Sequence, residues 1–292
     1  MKKLSKILLA YDGSDASRNA LEQSVRLIRA SEGAELLICV VTQMPEVGVE
    51  MISINEAMGL SEDISLQIAS EAGKTLESKG VRARTVTRKG VPYKEVIELA
   101  EEEGADLIIT GRRGMTGLER MLMGSVTSRI IGHTDRDVLV VPRNSELIFD
   151  SLLVATDGSK FADNALEKAL DFGEEYGSSS LTAVSVVDMN SELVKLRPGE
   201  VEDLTRRYEK ELEMAVVETE ATGIEANKVI EIGPVPASIV KAARDCGANM
   251  IFMGTHGRTG MAKLFMGSVT EKVIGMSHVP VYVSKGDARL SG

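Results

Sequence analysis

Short unbroken apolar runs alternate along the chain with longer stretches whose apolar positions recur at the helical period, the pattern of a mostly parallel sheet covered by helices. In the first half the runs predict strands at Ile7–Tyr11, Leu36–Val41, Ala83–Thr87, Asp106–Thr110 and Val138–Val141. In the second they predict strands at Leu152–Thr156, Leu181–Val187, Lys228–Ile232, Met250–Met253 and Val281–Val283. Helices are expected between them, as at Asp15–Ser31 and Lys160–Tyr176; in the former Ala20, Leu21, Leu27 and Ile28 fall near the 3.6-residue period. Pro92 and Pro236 open the third helix of each half, where a missing N–H is harmless. Residues 43–60 and 189–200, richer in Met, Glu and Pro, read as long loops.

The two halves repeat one another. KILLAYDGSDASRNALEQS at 6–24 resembles SLLVATDGSKFADNALEKA at 151–169, an offset of 145 residues. DLIITGRRGMTGLERMLMGSVTSRIIG at 106–132 resembles NMIFMGTHGRTGMAKLFMGSVTEKVIG at 249–275, an offset of 143. So constant an offset marks a duplicated domain. The 292 residues suit two domains of the usual size, roughly 100–150 residues. They are expected at 1–142 and 150–292, joined by a polar linker at 143–149.

Composition narrows the function. No segment approaches the roughly 20 apolar residues of a membrane span, so no membrane partner is expected. The amino-terminal MKKLSKILLAYDGS has too short an apolar part, Ile7 to Tyr11, for a signal peptide and reads as a first buried strand. Cys39 and Cys246 are far apart with no metal-site spacing, which points to a reducing, cytoplasmic setting without disulfides or zinc. His133, His256 and His278 are irregularly placed and read as surface residues. A net charge of −10 and the lack of Trp argue against a nucleic-acid groove. A small anion remains compatible, because local backbone amides can outweigh a global charge.

The repeated motif is Gly-x-x-Gly, nine residues, then Gly-Ser, spanning 111–125 and 254–268. Gly111 and Gly254 follow predicted strands, at the carboxyl ends where open α/β sheets bind ligands. Gly111 with Gly114, and Gly254 with Gly257, can admit a ligand close to the backbone and present N–H groups as an anion nest. Gly124-Ser125 and Gly267-Ser268 then begin a helix whose first amides and dipole favour a phosphate. The competing reading makes Ser125 and Ser268 simple N-caps, with Ser268 to Glu271 a capping box. Two copies of the whole motif with one spacing favour the ligand. The spacing is neither a Walker A loop nor GxGxxG. The Met-rich stretches Met115–Met123 and Met261–Met266 read as flexible packing.

With Ala-Tyr-Asp-Gly-Ser at 10–14 and Ala-Thr-Asp-Gly-Ser at 155–159, the motif closely resembles the universal stress protein family over nearly the whole chain. The resemblance implies two tandem five-stranded parallel-sheet α/β domains, Rossmann-like and related to adenine-nucleotide α-hydrolases, with strand order 3-2-1-4-5. It implies ATP or AMP as the bound adenine nucleotide and admits Mg2+ beside it. Asp12 and Asp157 then lie next to the nucleotide, with Ala10 and Ala155 nearby; a local Asx-turn is the alternative role for the aspartates. Val40 and Val186 match the position whose backbone meets the adenine edge. Gly111, Gly114, Gly124, Ser125 and Val126, with Gly254, Gly257, Gly267, Ser268 and Val269, match the phosphate set. Thr127 and Thr270 add hydroxyls there or serve as caps. Arg112 and Arg113, replaced by Thr255 and His256 in the second copy, either draw more negative charge to the first site or are solvated surface.

The functional expectation is a stress-response regulator whose nucleotide occupancy controls conformation or the choice of an unidentified protein partner. The alternative is a slow ATP-hydrolysing or phosphate-transferring enzyme. Phosphoryl transfer needs metal ligands, a positioned nucleophile and cationic stabilisation, and the repeated motif offers one aspartate, a serine and amides, so an enzyme is not expected. In the family the fifth strands are sheet edges that pair across a dimer. Val138–Val141 and Val281–Val283 are therefore expected to pair within the chain as an internal pseudo-dimer, with a homodimer optional.

Overall fold

In the computed structural model, which describes residues 4–43, 51–114, 123–189, 198–257 and 266–286, the apolar runs become strands and the periodic stretches helices. The chain divides into two compact units, the change falling between Asn144 and Ser145. The first unit runs β1 (Lys6–Ala10), α1 (Asp15–Ala30), β2 (Glu35–Gln43), α2 (Met51–Ser78), β3 (Ala83–Gly90), α3 (Pro92–Glu102), β4 (Leu107–Gly111), α4 (Ser125–His133) and β5 (Asp137–Val141). Its strands are all parallel, in the order β3-β2-β1-β4-β5. The second unit repeats the plan with β6 (Ser151–Ala155), α5 (Lys160–Tyr176), β7 (Ser180–Val187), α6 (Pro198–Ala221), β8 (Glu225–Ile232), α7 (Val235–Asp245), β9 (Met250–Gly254), α8 (Ser268–Met276) and β10 (Val281–Ser284). Its parallel order is β8-β7-β6-β9-β10.

The strands near the middle of each sheet are unbroken apolar runs because helices cover both faces. Ile7, Leu8, Leu9, Leu107, Ile108 and Ile109 are wholly buried in the first unit, as are Leu152, Leu153, Val154, Met250, Ile251 and Phe252 in the second. The strands at the β3 and β8 edges behave differently. They run to Gly90 and start at Glu225, longer than their apolar segments predict, because many of their residues face water. Part of each expected long loop is also ordered: β2 extends to Gln43, α2 begins at Met51 and α6 at Pro198. One helix boundary needs correction. Pro92 is the first residue of α3, but α7 starts at Val235 with Pro234 as its cap, which puts Pro236 in the second position. Among the described residues no helix is long and apolar enough to cross a membrane. Both cysteines are free thiols, and burial pushes the Cys39 thiol up to about 12.

Candidate functional site

The strand order puts β1 beside β4, so their carboxyl ends and the turns that follow lie together. Strand one makes its last ladder contact when the Tyr11 N–H donates to the Cys39 carbonyl at 2.9 Å, as Thr156 does to Val184 at 2.9 Å. The chain then reverses through Asp-Gly-Ser. Gly13 and Gly158 are left-handed, at φ 76° and 72°, a conformation that side-chain-bearing residues resist. Asp12 Oδ1 accepts the Ser14 N–H at 3.0 Å and Asp157 Oδ1 accepts the Ser159 N–H at 3.1 Å. Ser14 and Ser159 cap α1 and α5 in turn. The Asx-turn reading of the aspartates is therefore real, but it engages one oxygen of each. The other is brought against the motif: a Cβ on Gly114 would lie 2.5 Å from Asp12 Oδ2, and one on Gly257 2.5 Å from Asp157 Oδ2. Ala10 and Ala155, half-buried, end the strands that carry these turns.

The first glycine of each motif answers a packing demand. A Cβ on Gly111 would stand 2.7 Å from the carbonyl carbon of Ala16, and one on Gly254 2.6 Å from the Phe161 oxygen. Each glycine lets the first turn of a helix butt against a strand end. Neither these nor the other motif glycines have positive φ, so the anion-nest conformation expected at them is not formed. The Arg112 N–H donates to Val141 O at 2.9 Å, and the Gly124 N–H to Arg112 O at 2.9 Å. The Gly267 N–H likewise donates to Thr255 O at 2.8 Å. These bonds close the neck of the loop, so Gly124 and Gly267 shape the site without offering their own amides. The spacer residues 115–122 and 258–265, with most of the Met-rich stretches, lie outside the described residues.

Closing the neck moves the helix caps. The N-caps of α4 and α8 are Gly124 and Gly267, with no side-chain cap bond, and Ser125 and Ser268 are the first helical residues. The serine-cap and capping-box readings are thus overturned. A helix start leaves its first amides without intrahelical partners; here Ser125 and Val126 are exposed around them, as is Ser268, while Val269 is half-buried. Thr127 and Thr270 are not caps. Their buried hydroxyls donate to Gly111 O and Gly254 O, both at 2.9 Å, and tie each helix to its strand.

Val40 and Val186 are not equivalent. Ala10 pairs with Cys39 and Ala155 with Val184, so the counterpart of Val40 is Ser185 and that of Val186 is Val41. Ser185 Oγ donates to Thr156 O at 2.9 Å. The valine side chains themselves are core.

A cleft of about 450 Å³ opens in the first unit beside Gly13, Ser14, Asp15, Arg112, Arg113 and Arg143. Arg112 is half-buried, and burial, then the Arg113 charge, pulls its guanidinium below the usual value. This sets aside the solvated-surface reading of the pair. Arg143 forms an ion pair with Asp15, which also faces Arg18 at 3.7 Å. His256, expected at the surface, has both ring nitrogens buried without a hydrogen-bonding partner, and its ring lies 5.3 Å from that of Phe161. The sequence reading missed Gly13 and Gly158, although both copies carry Asp-Gly-Ser, and Arg143, which has no repeat to signal it.

Two parallel α/β units, each with its glycine motif at the carboxyl ends of the strands, define a tandem protein of the doubly wound class. The model of the universal stress protein family matches residues 3–142 and 149–285, and the chain belongs to that family. Universal stress protein MJ0531 of Methanocaldococcus jannaschii is 35% identical over 139 residues, covering 47% of this chain and 82% of its own. Universal stress protein YxiE of Bacillus subtilis is 34% identical over 146 residues, covering 47% of this chain and 98% of its own. A solved universal stress protein from Archaeoglobus fulgidus matches with a TM-score of 0.72 and 25% identity, over 95% of each chain.

Proposed function

We propose that the protein is an adenine-nucleotide-binding regulator of the stress response, with one site at the carboxyl end of each sheet. The observation that carries this reading is a cradle built twice from the same parts: a strand-one carboxylate against the second motif glycine, facing a helix start that no side chain caps. The lack of a Cβ at Gly114 and Gly257 keeps that space open. Phosphates would be held at the first-turn amides of α4 and α8 by Ser125 and Val126, and by Ser268 and Val269, where the helix dipole favours an anion. The second oxygen of Asp12 or Asp157 would accept from ribose hydroxyls. Among the described residues no group of three His, Cys, Asp or Glu is arranged for a metal, so Mg2+ in this reading comes with the phosphates. ATP or AMP supplies the charge that draws the helix start and the Asp-Gly-Ser turn together, and occupancy thereby controls conformation or partner choice. Denaturing the purified protein and weighing what it releases should show an adenine nucleotide. A protein that carries none and binds none at millimolar concentration overturns the reading.

The proposal is of binding, not turnover. ATP hydrolysis should stay below about one per second, the low end of ordinary enzyme rates. Faster turnover that disappears in Asp12→Asn and Asp157→Asn would make the protein an enzyme. The internal pairing of the fifth strands belongs to the same proposal. It rests on the family resemblance and on the apolar Val138–Val141 and Val281–Val283. Joint Val140→Pro and Val283→Pro substitution should expose residues 143–149 to protease, and unchanged protection would count against it.

A further inference from the structure

Position by position, the described residues of the two cradles differ in charge. Arg112 and Arg113 give way to Thr255 and His256. Arg18, one turn into α1, is replaced by Asp163 in α5. Gly111 pairs with Val141 and Gly254 with Ser284, so Arg143 corresponds to Gly286. No side chain fits there easily: Gly286 is left-handed at φ 71°, and a Cβ would lie 2.5 Å from Asn164 Nδ2. The helix over the Asp-Gly-Ser turn changes too. A Cβ on Gly13 would meet the apolar Ile68 at 3.3 Å, whereas one on Gly158 would meet the Glu211 carboxylate at 2.6 Å. Glu211 is partly offset by Arg207 at 3.2 Å.

The first cradle thus sets Arg18, Arg112, Arg113 and Arg143 against Asp12 and Asp15. The second sets Asp157, Asp163 and Glu211 against Lys160, the first residue of α5, and against Arg207, which pairs with Glu211. The crowding of negative charge is felt within the second site: burial, and then Asp157, hold the Asp163 carboxyl above the usual carboxylate range.

We infer that duplication has divided ligand choice between the domains, the first taking a nucleoside di- or triphosphate and the second a nucleoside carrying at most one phosphate. The inference rests on the nucleotide-binding reading above. Arginine is suited to phosphate through its planar, permanently charged donors. A carboxylate beside the site repels each added phosphate charge, and it does so most where water is displaced.

The test is calorimetric titration of the full-length protein with ATP and with AMP, in EDTA so that magnesium does not mask phosphate charge. In the parent, ATP should fill one site at least about tenfold more tightly than the other, as a charge-assisted hydrogen bond gained or lost implies, whereas AMP should fill two. Gly257→Val, which blocks the second cradle, should leave the site that prefers ATP. Gly114→Val should leave the site that does not. Arg112→Thr with Arg113→His, in the Gly257→Val background, should lose the preference for ATP while keeping AMP. Two ATP sites of equal affinity in the parent, or the same ATP-to-AMP ratio in both single-site variants, overturn the division of labour and leave nucleotide binding intact. Absence of all adenine-nucleotide binding overturns both. Should a variant misfold, the parent titration decides alone.

Discussion

Alanine at Gly111 should destabilise the first domain by roughly 1–3 kcal/mol, the range for overpacking a well-filled interior, and alanine at Gly254 should do the same to the second. The added methyl would stand 2.7 Å from the Ala16 carbonyl carbon and 2.9 Å from the Ser17 nitrogen. Both obstacles are backbone, so no side-chain rotation relieves them. The only relief is to lift the first turn of α1 from the end of β4. That helix buries Ala20, Leu21, Val25 and Leu27 against the sheet, and the lift loosens them together. Urea denaturation of the full-length protein, followed by a probe in each domain, checks this. An unchanged midpoint in both variants would mean that α1 and α5 do not depend on these glycines.

Alanine at Gly114 should have the opposite profile, with stability altered by less than about 0.5 kcal/mol, as for a surface change, and first-domain nucleotide affinity reduced at least about tenfold. The backbone here is not left-handed, and Gly114 is exposed, so alanine adopts the local conformation without strain. What the methyl meets is Asp12 Oδ2, at 2.5 Å. The carboxylate must rotate away, out of the place where it would face the ribose, and its bond to the Ser14 N–H is disturbed with it. Gly257→Ala should repeat the effect at Asp157 in the second domain. Titration calorimetry beside urea denaturation separates the two kinds of glycine. Full affinity in Gly114→Ala would show that the ligand, if bound, does not use this cradle.

What the sequence made legible was what burial and repetition enforce. The inner strands declare themselves because both of their faces are covered, and the duplicated motif marks the strand ends at Gly111 and Gly254. The edge strands β3 and β8 are harder to bound, since residues such as Arg84, Lys89 and Glu225 face solvent and break the apolar run. Serine's preference for the cap position misplaced the starts of α4 and α8. The backbone bond from Gly124 to Arg112 competes with that preference, and tertiary closure prevails over local propensity. The cap reading of Thr127 and Thr270 fails for a related reason: each hydroxyl donates to the strand carbonyl beneath it, which a count along the helix does not reveal. Val40 and Val186 slipped out of step because register is set by pairing, which a count from the end of an apolar run does not contain. The charge difference between the sites was visible at Arg112 and Arg113. Its full extent was not, because Arg143, Gly286 and Glu211 reach the sites from segments outside the repeated motif.

The claim that each domain holds one adenine nucleotide is tested most directly by native mass spectrometry of the purified protein equilibrated with millimolar AMP. AMP is the probe because both cradles should accept it. The account predicts species with one and with two nucleotides bound, the second absent in Gly257→Val. A spectrum showing only the bare chain, or a parent that never exceeds one nucleotide, would contradict it.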